Sequence, residues 1–168
     1  VPFITFNGPS PTTAAQQKVT TGTAIKTMLQ LSTPSTRQIQ VLEWGYSLDA
    51  ASAAVGQVEL LQTDVAATVT AHVASGVVNL DPNGTASLLT LGASNTGYTA
   101  SAEGTTTAAR VLDARQVSVA AGTTDLQYTR TFMPDARPIV AVSKFLRVRC
   151  TFTSATNMTC WVVFTELG

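Results

Sequence analysis

RQIQVLEWGYSLD, residues 37–49, is the stretch on which the fold of this chain turns. Its apolar residues recur at every second position, the period of a strand with one buried face. The phase changes partway along. Ile39 and Val41 share one side, whereas Leu42, Trp44, Tyr46 and Leu48 share the other. One extra residue near Val41 to Glu43, a β-bulge, would produce that change, as would the bend by which a strand passes between the sheets of a sandwich.

The alternation spreads outward from this segment. Upstream, Ile25, Thr27, Leu29 and Leu31 alternate with Lys26, Met28 and Gln30, and the run ends at the turn residues Ser32-Thr33-Pro34-Ser35. Downstream, strands are predicted at 57–62, 77–80, 87–91, 108–114, 116–120, 126–132, 139–152 and 158–167, with Asp81-Pro82-Asn83-Gly84 as a strong turn signal. Residues 92–107, small and polar around Tyr98, read as a surface loop or weak edge strands. The stretch TDVAATVTAHVASG (63–76) fits both periods, and its Ala content and the capping Asp64 favour a short helix. So many closely spaced strands predict an all-β chain, a jelly-roll-like β-sandwich with at most one short helix.

Residues 1–22 look different. They carry Pro2, Pro9 and Pro11 and sustain neither period, which predicts an extended N-terminal arm ahead of a single sandwich domain over 23–168. Phe3, Ile4 and Phe6 at its tip are costly to leave in water. They either fold back on their own domain or serve as an inter-subunit contact in a neighbour.

Composition narrows the function classes. The chain has 168 residues, 45% of them hydrophobic and only 12% charged, with a net charge of +0. That suits one folded domain whose surface is Thr, Ser, Gln and Asn, groups cheaper to desolvate than ions. The charge is divided along the chain: residues 1–109 hold 3 bases and 6 acids, residues 110–168 hold 7 bases and 4 acids. Contacts between the two halves of neighbouring subunits would be favoured. No basic run supports nucleic-acid binding, and no stretch approaches the apolar length of a membrane helix.

Alternation in residues 145–164 puts Leu146, Val148, Cys150 and Phe152 on one face, then Met158, Cys160, Val162 and Phe164 on one face after a turn. A hairpin about Ala155 would set Cys150 opposite Cys160, so a cross-strand disulfide and two reduced, buried thiols are both open readings. Catalytic motifs are missing. His72 is the single histidine, no spacing singles out a carboxylate pair, and no phosphate-binding or nucleophile-elbow pattern occurs, so no catalytic residue, cofactor or metal is expected. Trp44, Tyr46, Tyr98 and Trp161 could stack on sugars, with core packing the plainer reading for Trp44 and an outer-face position for Trp161. Asn83-Gly84-Thr85 and Asn157-Met158-Thr159 match the glycosylation pattern, a frequent chance match in a Thr-rich chain.

The segments TGTAIKTMLQLSTPS (21–35), EWGYSLD (43–49), VELLQTDVAATVTAHV (58–73), TGYTASAEGT (96–105) and FLRVRCTF (145–152) resemble a family of small β-rich virion proteins of actinobacterial tailed phages. The resemblance implies a capsid decoration or minor capsid protein: non-enzymatic, on the capsid surface of the virion, with the major capsid protein and copies of itself as partners. A homo-oligomer is then expected, with a trimer one form of it. The alternative is a lectin-like module that meets a glycan through Tyr98 and the 92–107 loop.

Overall fold

A computed structural model of the chain describes residues 1–9, 15–50, 55–118 and 126–168. Its strands are β1 (Pro2–Phe6), β2 (Val19–Thr20), β3 (Ile25–Ser32), β4 (Gln38–Leu48), β5 (Gly56–Thr63), β6 (Thr68–Ala71), β7 (Val77–Asn79), β8 (Gly97–Ala102), β9 (Ala109–Val117), β10 (Gln127–Thr131), β11 (Ile139–Val140), β12 (Phe145–Phe152) and β13 (Asn157–Leu167). Helical structure among the described residues is limited to two three-residue 3-10 turns, at 74–76 and 134–136.

The strands form two antiparallel sheets. The first runs β10-β4-β13-β1-β7, with β11 beside β10 on β4 and β2 beside β1 on β13; the second runs β6-β8-β3-β12-β5-β9. Late strands lie between early ones: β13 separates β1 from β4, and β12 separates β3 from β5. The orders β1-β13-β4-β10 and β3-β12-β5-β9 are those of a jelly roll, in which the chain repeatedly crosses between two sheets. The intervening segment β6-β7-β8 widens both sheets at one side.

The bulge predicted in residues 37–49 is present. Val163 pairs with Glu43 and Phe164 with Val41, so Leu42 is the extra residue in β4. It allows Ile39 and Val41 before it, and Trp44, Tyr46 and Leu48 after it, to enter the same core. Between the sheets these residues meet Leu29, Leu31, Leu60, Leu146, Phe152 and Phe164, all essentially inaccessible to water. Burial of each such side chain contributes about 1.5–3 kcal/mol.

Three expectations are corrected. Residues 2–6 are not part of an arm: β1 is an interior strand, paired with β13 along Pro2–Phe6 and with β7 along Phe3–Thr5. Its alternation is hidden in the sequence because one of its inward residues is polar. Phe3 stacks on Phe164 at 5.5 Å, and Thr5 is buried with its hydroxyl donating to the Gly76 carbonyl at 2.9 Å. Residues 10–14 of the expected arm lie outside the described residues.

The short helix expected within 63–76 is replaced by a strand at its centre, β6, paired with β8, and by the 3-10 turn at 74–76. Where both periods fit, tertiary pairing decides. Asp64 caps no helix; its carboxylate accepts from Thr107 Oγ1 and the Thr107 and Ala108 amides, which lowers its pKa to about 2.

The expected hairpin over 145–164 is also absent. β12 and β13 belong to different sheets, so the segment between them is a corner. Cys150 and Cys160 therefore approach from opposite walls of the core as free, buried thiols. Burial raises the Cys150 pKa to about 12 and pushes Cys160 well above the usual thiol range. The expected outcome is two thiols inert to a thiolate-selective reagent at pH 8 in the folded protein and both titratable in denaturant. Modification of either thiol as fast as a free cysteine would contradict it.

A polar layer covers the outer side of the second sheet. Arg147, fully buried, donates to the Glu103 carbonyl at 3.1 Å, the Glu103 carboxylate at 3.2 Å and the Val65 carbonyl. Glu103 also accepts from the Thr27 amide and from Thr27 Oγ1. Beside them Gln30 bonds to the carbonyls of Ala67 and Asn95 and accepts the Ala67 amide.

Candidate interaction face

The outer side of the first sheet is built differently. Strand register lines up three cross-strand rows. One is Thr131, Glu43, Val163, Ile4 and Val78; the next is Thr129, Gly45, Trp161 and Phe6; the third is Ile139, Gln40, Thr165 and Pro2. Alternation directs these side chains outward, because their neighbours Trp44, Val162, Phe164 and Phe3 fill the core. Ile4, Phe6, Trp161 and Val163 are half-buried and Val78 is exposed, so the side formed by β13, β1 and β7 is apolar while the β4 and β10 side is mostly hydroxyl and amide.

Glu43 is the one ionisable side chain in these rows, and it is engaged. Trp161 Nε1 donates to one of its oxygens at 3.2 Å and Thr131 Oγ1 to the other at 2.9 Å. The indole of Trp161 lies over Gly45, where a Cβ would stand 2.5 Å from Trp161 Cζ2. Only glycine admits the ring at that spot, and Phe6 flanks it with ring centroids 6.4 Å apart.

The residues expected at an inter-subunit contact thus divide. Ile4 and Phe6 lie on the outer face, and Phe3 is core, 5% exposed. Trp161 is on the outer face, as its position after Cys160 implied. Alternation within β4, β7 and β13 taken singly does not mark out Val78, Val163 and Gly45. Their cue is in β13, whose outward series Thr159, Trp161, Val163, Thr165 carries two large apolar residues on a face that alternation alone would make polar.

Elsewhere several ionisable groups are paired across strands or loops. Arg149 pairs with Glu59 at 2.7 Å, Arg130 with Asp113 at 2.7 Å and Lys18 with Asp49 at 3.1 Å. Among the described residues no group of three His, Cys, Asp or Glu stands where it could hold a metal ion. One groove, of about 520 Å³, is lined among the described residues by Val55, Gly56, Gln57, Gln116, Val117, Ser118 and Thr151, none of them an acid, a base or a thiol. Trp44 and Tyr46 are core, and the Tyr98 ring packs on His72 with centroids 5.0 Å apart, which leaves Trp161 as the outward indole. Asn157 is held by Asp49 and Thr20, while Asn83 sits in an exposed turn. No protein-family model matches the chain, and no curated protein sequence matches it.

Proposed function

We propose that this chain is a non-enzymatic structural subunit of a phage particle that decorates or cements the capsid, with the major capsid protein and copies of itself as partners. The observation that carries the reading is the set of three cross-strand rows on the outer face of the first sheet, in which apolar side chains adjoin hydroxyls and the single carboxylate is already satisfied. Such a face loses little on desolvation and gains from covering Ile4, Val78, Trp161 and Val163. A jelly roll is suited to the role, because its two longest strands, β4 and β13, are paired on both sides within the domain. The resemblance of the 21–35, 43–49, 58–73, 96–105 and 145–152 segments to phage virion proteins supplies the particle.

The test is co-sedimentation of the purified protein with capsid shells lacking it. Binding is expected for the natural chain. Ile4→Glu and Val163→Glu should each weaken it about a hundredfold or more while the circular dichroism of the free protein is unchanged, since an unpaired charge would be desolvated at the contact. A natural chain that stays in the supernatant as a monomer, or variants that bind shells as well as it does, would overturn the reading.

A further inference from the structure

His72 sits just after β6, 4% exposed, beneath the strands that carry part of the outer face. Its Nε2 lies 2.7 Å from the Phe6 carbonyl and 3.4 Å from Thr5 Oγ1, while Thr5 Oγ1 donates to the Gly76 carbonyl at 2.9 Å. A carbonyl can only accept, so Nε2 carries the proton. Nδ1 is then a bare acceptor. It is buried with no hydrogen-bond partner among the described residues, and Gly76 lies so close that a Cβ there would stand 2.6 Å away. The contact therefore ties β6 to the end of β1 and, through Thr5, to the 3-10 turn that leads into β7.

From this geometry we propose that His72 is an acid-sensitive latch: protonation of Nδ1 places a second donor where nothing accepts it, and releases β6, the 74–76 turn and β7 from β1. The elements packed against the ring offer no compensating charge. Residues 2–6 of β1, 74–76, 77–79 of β7 and 97–102 of β8 contain no acid or base, and Tyr98 is the one titratable side chain among them. Burial holds the His72 pKa below its ordinary 6.5, opposed in part by the bond to Phe6. A depressed histidine contributes stability that is complete above pH 6.5 and declines as the pH falls below it, the direction a latch released by acid requires. Ile4, Phe6 and Val78 belong to the outer face, so acid would rearrange the apolar side of that surface. This last consequence rests on the proposed contact role of the face; the latch itself does not.

The test uses the isolated chain, without capsid. Since His72 is the only histidine, its ring nitrogens can be followed by NMR without assignment of competing signals. The Nε2–H tautomer at pH 7.5 and a titration midpoint below 6.5 are expected. Hydrogen exchange supplies the structural half. The Gly76 and Leu80 amides, bonded to Val73 and Pro2, should lose protection about tenfold on going from about pH 7.5 to about pH 5.5, where a released histidine is mostly protonated. The Leu48 amide, bonded to Leu126 on the far side of the same sheet, should not. In His72→Gln the acid response of Gly76 and Leu80 should vanish. A midpoint at or above 6.5 overturns the latch, as does equal loss of protection at Leu48. If His72→Gln fails to fold, the wild-type titration and exchange still decide.

Discussion

Arg147→Ala is expected to lower the unfolding free energy by about 3–5 kcal/mol in urea titration, a large part of the 5–15 kcal/mol that holds a typical domain together. The guanidinium is 0% exposed although alternation along β12 directs it away from the core. It is covered by the segment before β6 and by the segment after β8, which it holds down through the Val65 carbonyl and through both the carbonyl and the carboxylate of Glu103. Gly104, at φ +68°, makes the turn that brings these segments together; a Cβ there would lie 2.9 Å from the Ala66 carbonyl. Removing Arg147 strands Glu103 between Thr27 and a void, and leaves the Val65 carbonyl without that donor. Arg147→Lys should recover less than half of the loss, because one ammonium cannot span two carbonyls and a carboxylate as a planar fork does. Glu103→Gln keeps one of the two side-chain acceptors and the residue 103 carbonyl, and should cost less than Arg147→Ala. A loss below about 1 kcal/mol for Arg147→Ala would mean that the covering segments hold themselves.

The same residue shows where sequence reading stops. Alternation in 145–152 places Arg147 and Arg149 together on the outer side of a strand, where both would ordinarily be solvated. Arg149 keeps an ordinary cross-strand role opposite Glu59. Arg147 is buried because the β6 to β8 segment returns over it, a long-range event with no local signature. The phase shift at Leu42 was legible because a bulge is local, and it fixed the sandwich. The hairpin about Ala155 was not a sound inference from equally clear alternation: period 2 tells which residues share a face but not which strand lies alongside. In a jelly roll consecutive strands usually sit in different sheets, so β12 and β13 each pair with strands more than a hundred or so residues earlier at some positions, such as Val148 with Leu29 and Phe164 with Phe3. The outer face follows the same logic. Ile4 and Phe6 stand out in the sequence as apolar residues in a Pro-rich segment, but their alignment with Val163, Trp161 and Val78 exists only once β1, β13 and β7 are neighbours.

Asp113→Ala should be nearly as damaging, at about 3–4 kcal/mol, for a different reason: it unpins the two sheets from each other. Asp113 lies on β9, the last strand of the second sheet, and is aimed inward by a second bulge, since Leu60 pairs with Asp113 but Leu61 with Val111, leaving Leu112 over. Its carboxylate is 7% exposed. One oxygen accepts from Trp44 Nε1 and the Tyr128 hydroxyl, each at 2.9 Å; the other accepts from Arg130 at 2.7 Å and the Ala114 amide at 3.0 Å. Trp44 and Tyr128 belong to β4 and β10 of the first sheet, so a single carboxylate bridges the open side of the sandwich. Burial, and then the bond to Asp113, raises the Tyr128 pKa, which keeps the hydroxyl protonated and donating across the neutral range. Alanine would orphan two donors, of which the Trp44 indole is wholly buried, at about 1–3 kcal/mol each. Arg130→Ala is the control. Its side chain is 48% exposed, so solvent screens the pair and the loss should stay under about 1 kcal/mol. Asp113→Asn should fall between, because its amide NH2 must stand against at least one of these donors, a clash that the acceptor-only carboxylate avoids. Chemical denaturation followed by Trp44 and Trp161 fluorescence orders the three variants. If Arg130→Ala proved as costly as Asp113→Ala, the bridge would be the exposed ion pair, and the buried Trp44 and Tyr128 donors would have found water instead.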